Sequence, residues 1–310
     1  MAVKKQSKQL MYLKGFARTL LPGRSDFRKK IDELKAKLTD KQLQKVEERV
    51  NYYCQSTFQP NPEIALIKDL KNPKNPKAYY FDTYEYAQYF DENLPLNFVF
   101  GDVTEVPEFP SIVKSRPISE DNQNSVLLNL DKTRHFVWVK DSKKFLDKKD
   151  ILIGRCAVFQ DNRHRFFERY FEHPMTDLGQ VDTLGGRTEW NKPKISLEKH
   201  LDYKFILSLQ GNDVATNLKW IMSSNSIAVM PKPTMETWFM EGKLVGGKHF
   251  IEIREDYSDL ESQMNFYINN PEICLHIIKN ANNFCEQFYN QNIEDLCSLW
   301  VLEKHLNLPH

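Results

Sequence analysis

Gly211-Asn212-Asp213 follows the apolar run 205–209 and precedes a segment of helical pattern ending near Ser224. At the carboxyl end of a strand, a glycine turn lets backbone N–H groups approach a ligand closely. The positive end of the helix beyond it favours a phosphate. Asn217 and Lys219 fall on the first turns of that helix, where they supply a donor and a charge. A glycine at such a turn also serves geometry alone, so the turn by itself does not select a ligand. The next apolar run, 227–230, ends in Met230-Pro231-Lys232-Pro233-Thr234, with Glu236 expected in the first turn of a helix beginning at Thr234. A carboxylate there can accept hydrogen bonds from the vicinal hydroxyls of a ribose. It can equally complement a helix dipole.

Two arginines and one aspartate complete the set. Arg155 follows the apolar run 151–153, and Arg163 opens the next helical segment. A guanidinium can grip a diphosphate with two donors at once, although surface charge is the common alternative. Asp102 lies just past the run 97–100. A carboxylate at a strand end is a candidate general base, and also a candidate turn or helix cap. Nucleophile-elbow (GxSxG), phosphate-loop (GxxxxGK[ST]), zincin (HExxH) and dinucleotide (GxGxxG) motifs do not occur in the chain. Their absence argues against those enzyme classes.

The elements that must hold these residues alternate in the last third. Strands are predicted at 205–209, 227–230 and 249–253, and helices after Gly211, from Thr234 and over 257–268. Alternation of this kind implies a parallel sheet with crossover helices. Further strand-like runs stand at 97–100, 125–130, 136–139 and 151–153, and a helix is expected over 162–171. Two helices, near 271–290 and 293–306, close the chain. Residues 26–49 have helical spacing, while 58–77 and 174–196 read as loops. The aromatic cluster Tyr79, Tyr80, Phe81, Tyr84, Tyr86, Tyr89 and Phe90 is expected to pack a core, with an acceptor-binding wall as the alternative.

The 310 residues are 41% hydrophobic and 27% charged, an ordinary globular composition. No apolar run approaches the roughly 20 residues of a membrane span. The five cysteines are scattered without CxxC spacing, which argues against a disulfide framework or a zinc site and fits a reducing cytosol. The net charge of +1 hides an asymmetry. Residues 1–50 carry 14 Lys and Arg against 6 Asp and Glu, leaving 29 against 36 in the rest. A basic arm on an acidic body suggests an anionic partner, and a solvated helical face is the alternative. Leu10, Met11, Leu13, Phe16, Leu20 and Leu21 among those charges are compatible with an interfacial helix on an anionic membrane. Nucleic acid is disfavoured, because no binding motif accompanies the charge.

Taken together and in this order, several segments resemble glycosyltransferase family 90. They are Tyr203-Lys-Phe-Ile-Leu-Ser-Leu-Gln-Gly-Asn-Asp-Val-Ala-Thr-Asn-Leu-Lys219, Met230-Pro-Lys-Pro-Thr-Met-Glu-Thr-Trp-Phe239, His249-Phe-Ile-Glu-Ile and Tyr257-Ser-Asp-Leu260. The chain looks like the bacterial branch, whose members are labelled lipopolysaccharide A or core biosynthesis proteins. The resemblance implies an α/β, GT-B-like architecture with two Rossmann-like halves, a cleft between them and C-terminal helices. It implies an inverting transfer from a nucleotide sugar, usually UDP-linked, with no cofactor and no metal requirement. The acceptor would be a lipopolysaccharide or other surface glycan. By position, Asp102 in Gly101-Asp102 looks like the catalytic aspartate. Arg155 and Arg163 look like the donor loop, and Gly211, Asn212, Asp213, Asn217 and Lys219 like the diphosphate segment. Pro233 and Glu236 fall on the ribose side. Eukaryotic relatives tend to carry Ser and Arg where Ala215 and Asn217 stand here.

The expected organisation is a basic helical arm over 1–50, an acceptor-side Rossmann-like half over 51–148 and a nucleotide-sugar-binding half over 149–270. Helices over 271–310 would pack back across the halves. The enzyme is expected in the bacterial cytoplasm, peripheral on the inner membrane face through residues 1–50. Two alternatives stay open: a non-catalytic scaffold of the same fold for glycan assembly, and a transferase using another donor such as ADP-heptose.

Overall fold

Tyr203–Leu207 and Ile227–Met230 are apolar at almost every position, and both strands are buried along their whole length. Strands of that kind belong inside a parallel sheet covered on both faces. The computed structural model describes residues 2–24, 26–181 and 185–308, and its contacts divide the chain into two units. The first comprises Met1–Lys5, His135–Pro233 and Gly242–Gln287, and the second Gln6–Arg134, Thr234–Glu241 and Phe288–His310.

The first unit is built on five parallel strands in the spatial order Ile251–Glu252, Ile227–Met230, Tyr203–Leu207, Lys149–Cys156, Thr176–Gln180. Numbered along this sheet alone the order is 5-4-3-1-2. That is a doubly wound order whose winding reverses between the first and third strands, and ligands of such sheets sit outside the carboxyl ends there. Phe166 and Phe167 of the helix Asp161–Tyr170 pack in one apolar core with Leu152, Leu178, Phe205, Val229 and Ile277. Pro271–Glu286 belongs to this unit. So does a short antiparallel pair, Ala2–Lys4 with Trp138–Lys140.

The second unit is mainly helical. Residues 26–49, expected as one helical stretch, form Phe27–Lys35 and most of Asp40–Tyr53, because Thr39 makes a capping box with Gln42 and starts a new helix. Lys77–Ala87 carries the aromatic cluster, and Tyr79, Phe81, Tyr84 and Tyr86 are buried in core packing. The closing helix Gln291–His305 packs against Asp40–Tyr53. A buried network ties it to the 234–241 segment. Arg49 Nη1 donates to Glu294 Oε1 at 2.5 Å, Trp238 Nε1 donates to Glu294 Oε2 at 2.6 Å, and Tyr53 stacks on Trp238 at 4.0 Å.

Four local expectations are corrected. Residues 174–196 contain the edge strand Thr176–Gln180, whose single large apolar residue, Leu178, gave no hydrophobic run to read. The helix after Gly211 starts only at Leu218, because Asn217 spends its side chain on the Leu207 carbonyl and Ser208 hydroxyl. No helix begins at Thr234. Met235–Thr237 is a strand antiparallel to Ser115–Pro117, with Glu236 facing Arg116 in register. A cross-strand charge pair outweighs the helical pattern there. Residues 97–100 make a single bridge, Phe98 with Ile112, rather than a strand.

His305 is buried beside Phe58. Burial pulls its imidazole down to about 4, against a weaker opposing contact with the Ser56 backbone. An unfolded chain takes up this proton below its ordinary value of 6.5, and the folded chain only near 4. The stability held by the neutral ring is therefore complete above 6.5 and is lost as pH falls towards 4. His305→Phe should remove up to about 1.4 kcal/mol per pH unit of slope across that window in denaturant unfolding. An unchanged slope would show that His305 does not bind the proton.

Candidate functional site

Arg163 is the third residue of Asp161–Tyr170, at the carboxyl end of the first sheet strand. Its guanidinium donates to three backbone carbonyls: Nη1 to Ala157 at 3.1 Å, Nη2 to Leu209 at 2.9 Å and Nε to Gln210 at 3.1 Å. Ala157 follows Lys149–Cys156, and Leu209 and Gln210 follow Tyr203–Leu207. Arg163 thus ties together the two strand ends that flank the reversal of winding. Asn162 adds a bond to the Gln210 carbonyl at 3.1 Å, and Gln160 donates to Asn212 Oδ1 at 3.2 Å. Gly211 sits against this fork, where an added Cβ would lie 3.3 Å from Arg163 Nη2. Arg163, Gly211 and Asn212 are therefore brought together.

The remaining residues predicted for the diphosphate lie deeper. Asp213 is buried and accepts from the Val214 amide at 2.7 Å. Asn217 fastens the start of Leu218–Met222 to the third sheet strand, through the Leu207 carbonyl at 2.9 Å. Lys219 is fully buried, with its positive charge close enough to Cys285 to oppose the burial that raises that thiol. Pro233 is half-buried after Ile227–Met230.

Arg155 stands one residue before the end of its strand. Its Nη2 pairs with Asp177 Oδ1 at 2.9 Å, and its Nη1 reaches the Asp177 and Gly154 carbonyls. Its Nε is buried without a hydrogen-bond partner among the described residues. Asp177 also takes Lys192 at 3.0 Å and the Tyr203 hydroxyl at 3.1 Å. Burial would raise the Asp177 carboxyl, but hydrogen bonds from Lys192 and Arg155 outweigh it and hold it below its ordinary value.

Asp102 and Glu236 belong to the second unit. Asp102 follows Gly101, whose φ of +136° suits glycine and turns the chain. Lys114 Nζ lies 2.5 Å from Asp102 Oδ1, and the Lys114 side chain is 2% exposed against 31% for Asp102. The same ammonium lies 5.9 Å from the centre of the Tyr79 ring. Asp131, at φ +53°, joins this charge cluster. Burial raises its carboxyl, and Arg134 and Lys114 oppose the rise. Glu236 is buried, with Arg116 Nε at 2.7 Å from Oε1 and the Tyr52 hydroxyl donating to Oε2. Arg116 also donates to the Ser125 and Tyr52 carbonyls. Burial and the Glu236 charge push the Tyr52 hydroxyl far above its ordinary range.

Sequence reasoning missed Lys114, Arg116 and Asp177. The first two had a readable signal. In Val113-Lys-Ser-Arg-Pro117 two cations stand two residues apart beside the apolar Ile112-Val113, and a period of two puts them on one face of a strand. Asp177 had none, since its strand has no apolar alternation.

The glycosyl transferase family 90 model matches residues 169–299. The chain is also similar to the protein named O-glucosyltransferase LpsA of Dichelobacter nodosus. The two are 41% identical over 268 residues, which is 85% of this chain and 83% of that one.

Arg163→Met removes the fork while keeping much of the side chain's bulk. It should cost about 2–4 kcal/mol in denaturant unfolding, the range for several charge-assisted bonds lost together. Arg163→Lys should recover only part, because one ammonium cannot span the three carbonyls. Full recovery by lysine would contradict the role given to the fork.

Proposed function

Since the chain belongs to glycosyltransferase family 90 and is a glycosyltransferase, we propose that it moves a sugar from a UDP-linked donor to a hydroxyl of a lipopolysaccharide or other surface glycan. The relative's name, O-glucosyltransferase, supports glucose as the sugar. The nucleotide, the glycan acceptor and a GT-B-like arrangement come from the family resemblance. One observation carries the donor assignment. Arg163, Gly211 and Asn212 converge at the carboxyl ends of the two strands where the winding of a parallel sheet reverses. That is where such sheets bind nucleotides.

The chemistry is a direct displacement with inversion. The acceptor oxygen forms a bond to the anomeric carbon while its proton passes to the Asp102 carboxylate. The bond from that carbon to the diphosphate oxygen breaks on the opposite face, and its electron pair leaves with the nucleotide. Lys114 pairs with Asp102 Oδ1 and so fixes how the carboxylate is presented. Arg155, the amides after Gly211 and the side-chain amide of Asn212 make up the diphosphate side, and Asn217, bonded to the Leu207 carbonyl, holds the start of the following helix. The developing charge meets cationic and N–H groups, a role that metal ions fill in other transferases. Pro233 shapes the end of the fourth sheet strand, and Glu236, held by Arg116 and Tyr52, is the ribose-side acid.

Asp102→Asn keeps the shape and removes the basic oxygen. Turnover of the donor with acceptor should fall about 10²–10⁴-fold, with the affinity for UDP, measured by calorimetry, nearly unchanged. A variant that keeps most of its turnover would rule out Asp102 as the base.

A further inference from the structure

The helix Lys8–Leu20 buries one side and leaves an apolar stripe on the other. Met11 is buried, and Gly15 lies so close to Phe81 that an added Cβ would clash with its ring. Tyr12 and Phe16 meet the same ring edge-on. This contact fixes the helix on Lys77–Ala87 and therefore fixes which residues face away. Leu10, Leu13, Ala17 and Leu20, at spacings of three and four, line the outward face. Leu13 is 68% exposed and Leu20 85%, with Leu10, Phe16 and the adjoining Leu21 also exposed. Such a run of leucines is not an ordinary solvated surface.

Charge identifies what covers it. Residues 1–25 hold Lys4, Lys5, Lys8, Lys14, Arg18 and Arg24 and no Asp or Glu. Arg18 pairs with Glu85, while Lys14 stands exposed on the helix beside Leu10 and Leu13. A second copy docking through the same face would bring two such cationic segments together, and like charges oppose that. An anionic lipid surface supplies apolar depth for the leucines and negative headgroups for the lysines. No helix among the described residues is long and apolar enough to cross a membrane, so attachment through this helix would lie along the interface.

We infer that Lys8–Leu20 docks the protein on a bilayer rich in anionic phospholipid headgroups, with Leu10, Leu13, Leu20 and Leu21 inserted and Lys8 and Lys14 at headgroup level. This goes beyond the transfer reading and does not depend on it.

The test uses the full chain and sucrose-loaded vesicles of phosphatidylcholine with and without phosphatidylglycerol. The protein should sediment with the anionic vesicles, far less with pure phosphatidylcholine, and progressively less as salt rises. Leu13→Ser/Leu20→Ser should lower the partition coefficient about tenfold, with the melting temperature unchanged because both side chains are exposed. Equal sedimentation of variant and parent would overturn the inference. So would a doubled mass by light scattering that the serine variant abolishes while neither protein binds vesicles, which would assign the face to a second copy.

Discussion

Arg163 holds the strand ends on which the donor reading depends. Two parallel strands that diverge in their connections leave a gap at their carboxyl ends, and three backbone carbonyls, those of Ala157, Leu209 and Gln210, stand beside it. The guanidinium bonds all of them at 2.9–3.1 Å. The bonds also fix the path of the chain into Gly211 and Asn212, the segment proposed to approach the donor phosphates. A flexible ammonium could not do this, since the three acceptors need donors held in one plane. Removing the fork would therefore loosen the donor segment as well as the fold around it.

The second unit follows the same constraint with ion pairs. Buried charges must be paired, and here Lys114 pairs with Asp102, while Arg116 with Glu236 and Arg49 with Glu294 join distant parts of the sequence. Breaking such a pair by removing one partner typically costs about 3–5 kcal/mol, because the other charge stays buried. The Arg116–Glu236 and Arg49–Glu294 pairs together fasten the 234–241 segment to this unit. Asp102 differs from the others in being partly exposed while its partner is not. Its carboxylate is thus held in place and still reaches the surface, as the proposed role of proton acceptor requires.

The parallel sheet was legible because its central strands are continuous apolar runs closed by glycine or proline turns, as at Gly211 and Pro231. Arg155 and Asp102 were legible as candidates because each follows an apolar run, and Arg163 because it opens the next helical segment. What could not be read was decided by partners far away in sequence. Met235–Thr237 is a strand only because Arg116 lies 120 positions earlier to face Glu236. Thr176–Gln180 joins the sheet through backbone pairing that its polar side chains do not announce. Lys219, read as a source of charge near the glycine turn, is fully buried, which local spacing could not distinguish. The outward leucines of Lys8–Leu20 were visible as apolar residues, but only the packing of Gly15 on Phe81 reveals which side they face.

The central claim is transfer from a UDP-linked sugar, and the most direct measurement is donor turnover across a panel of nucleotide sugars by the purified chain. Even without acceptor, a transferase of this kind hydrolyses its own donor slowly. The account predicts nucleotide release from UDP-glucose well above that from ADP-heptose and other sugar nucleotides. Turnover confined to ADP-heptose would contradict the donor assignment, and no turnover of any donor, with no shift in melting temperature, would contradict the reading of the Gly211 segment as a diphosphate site.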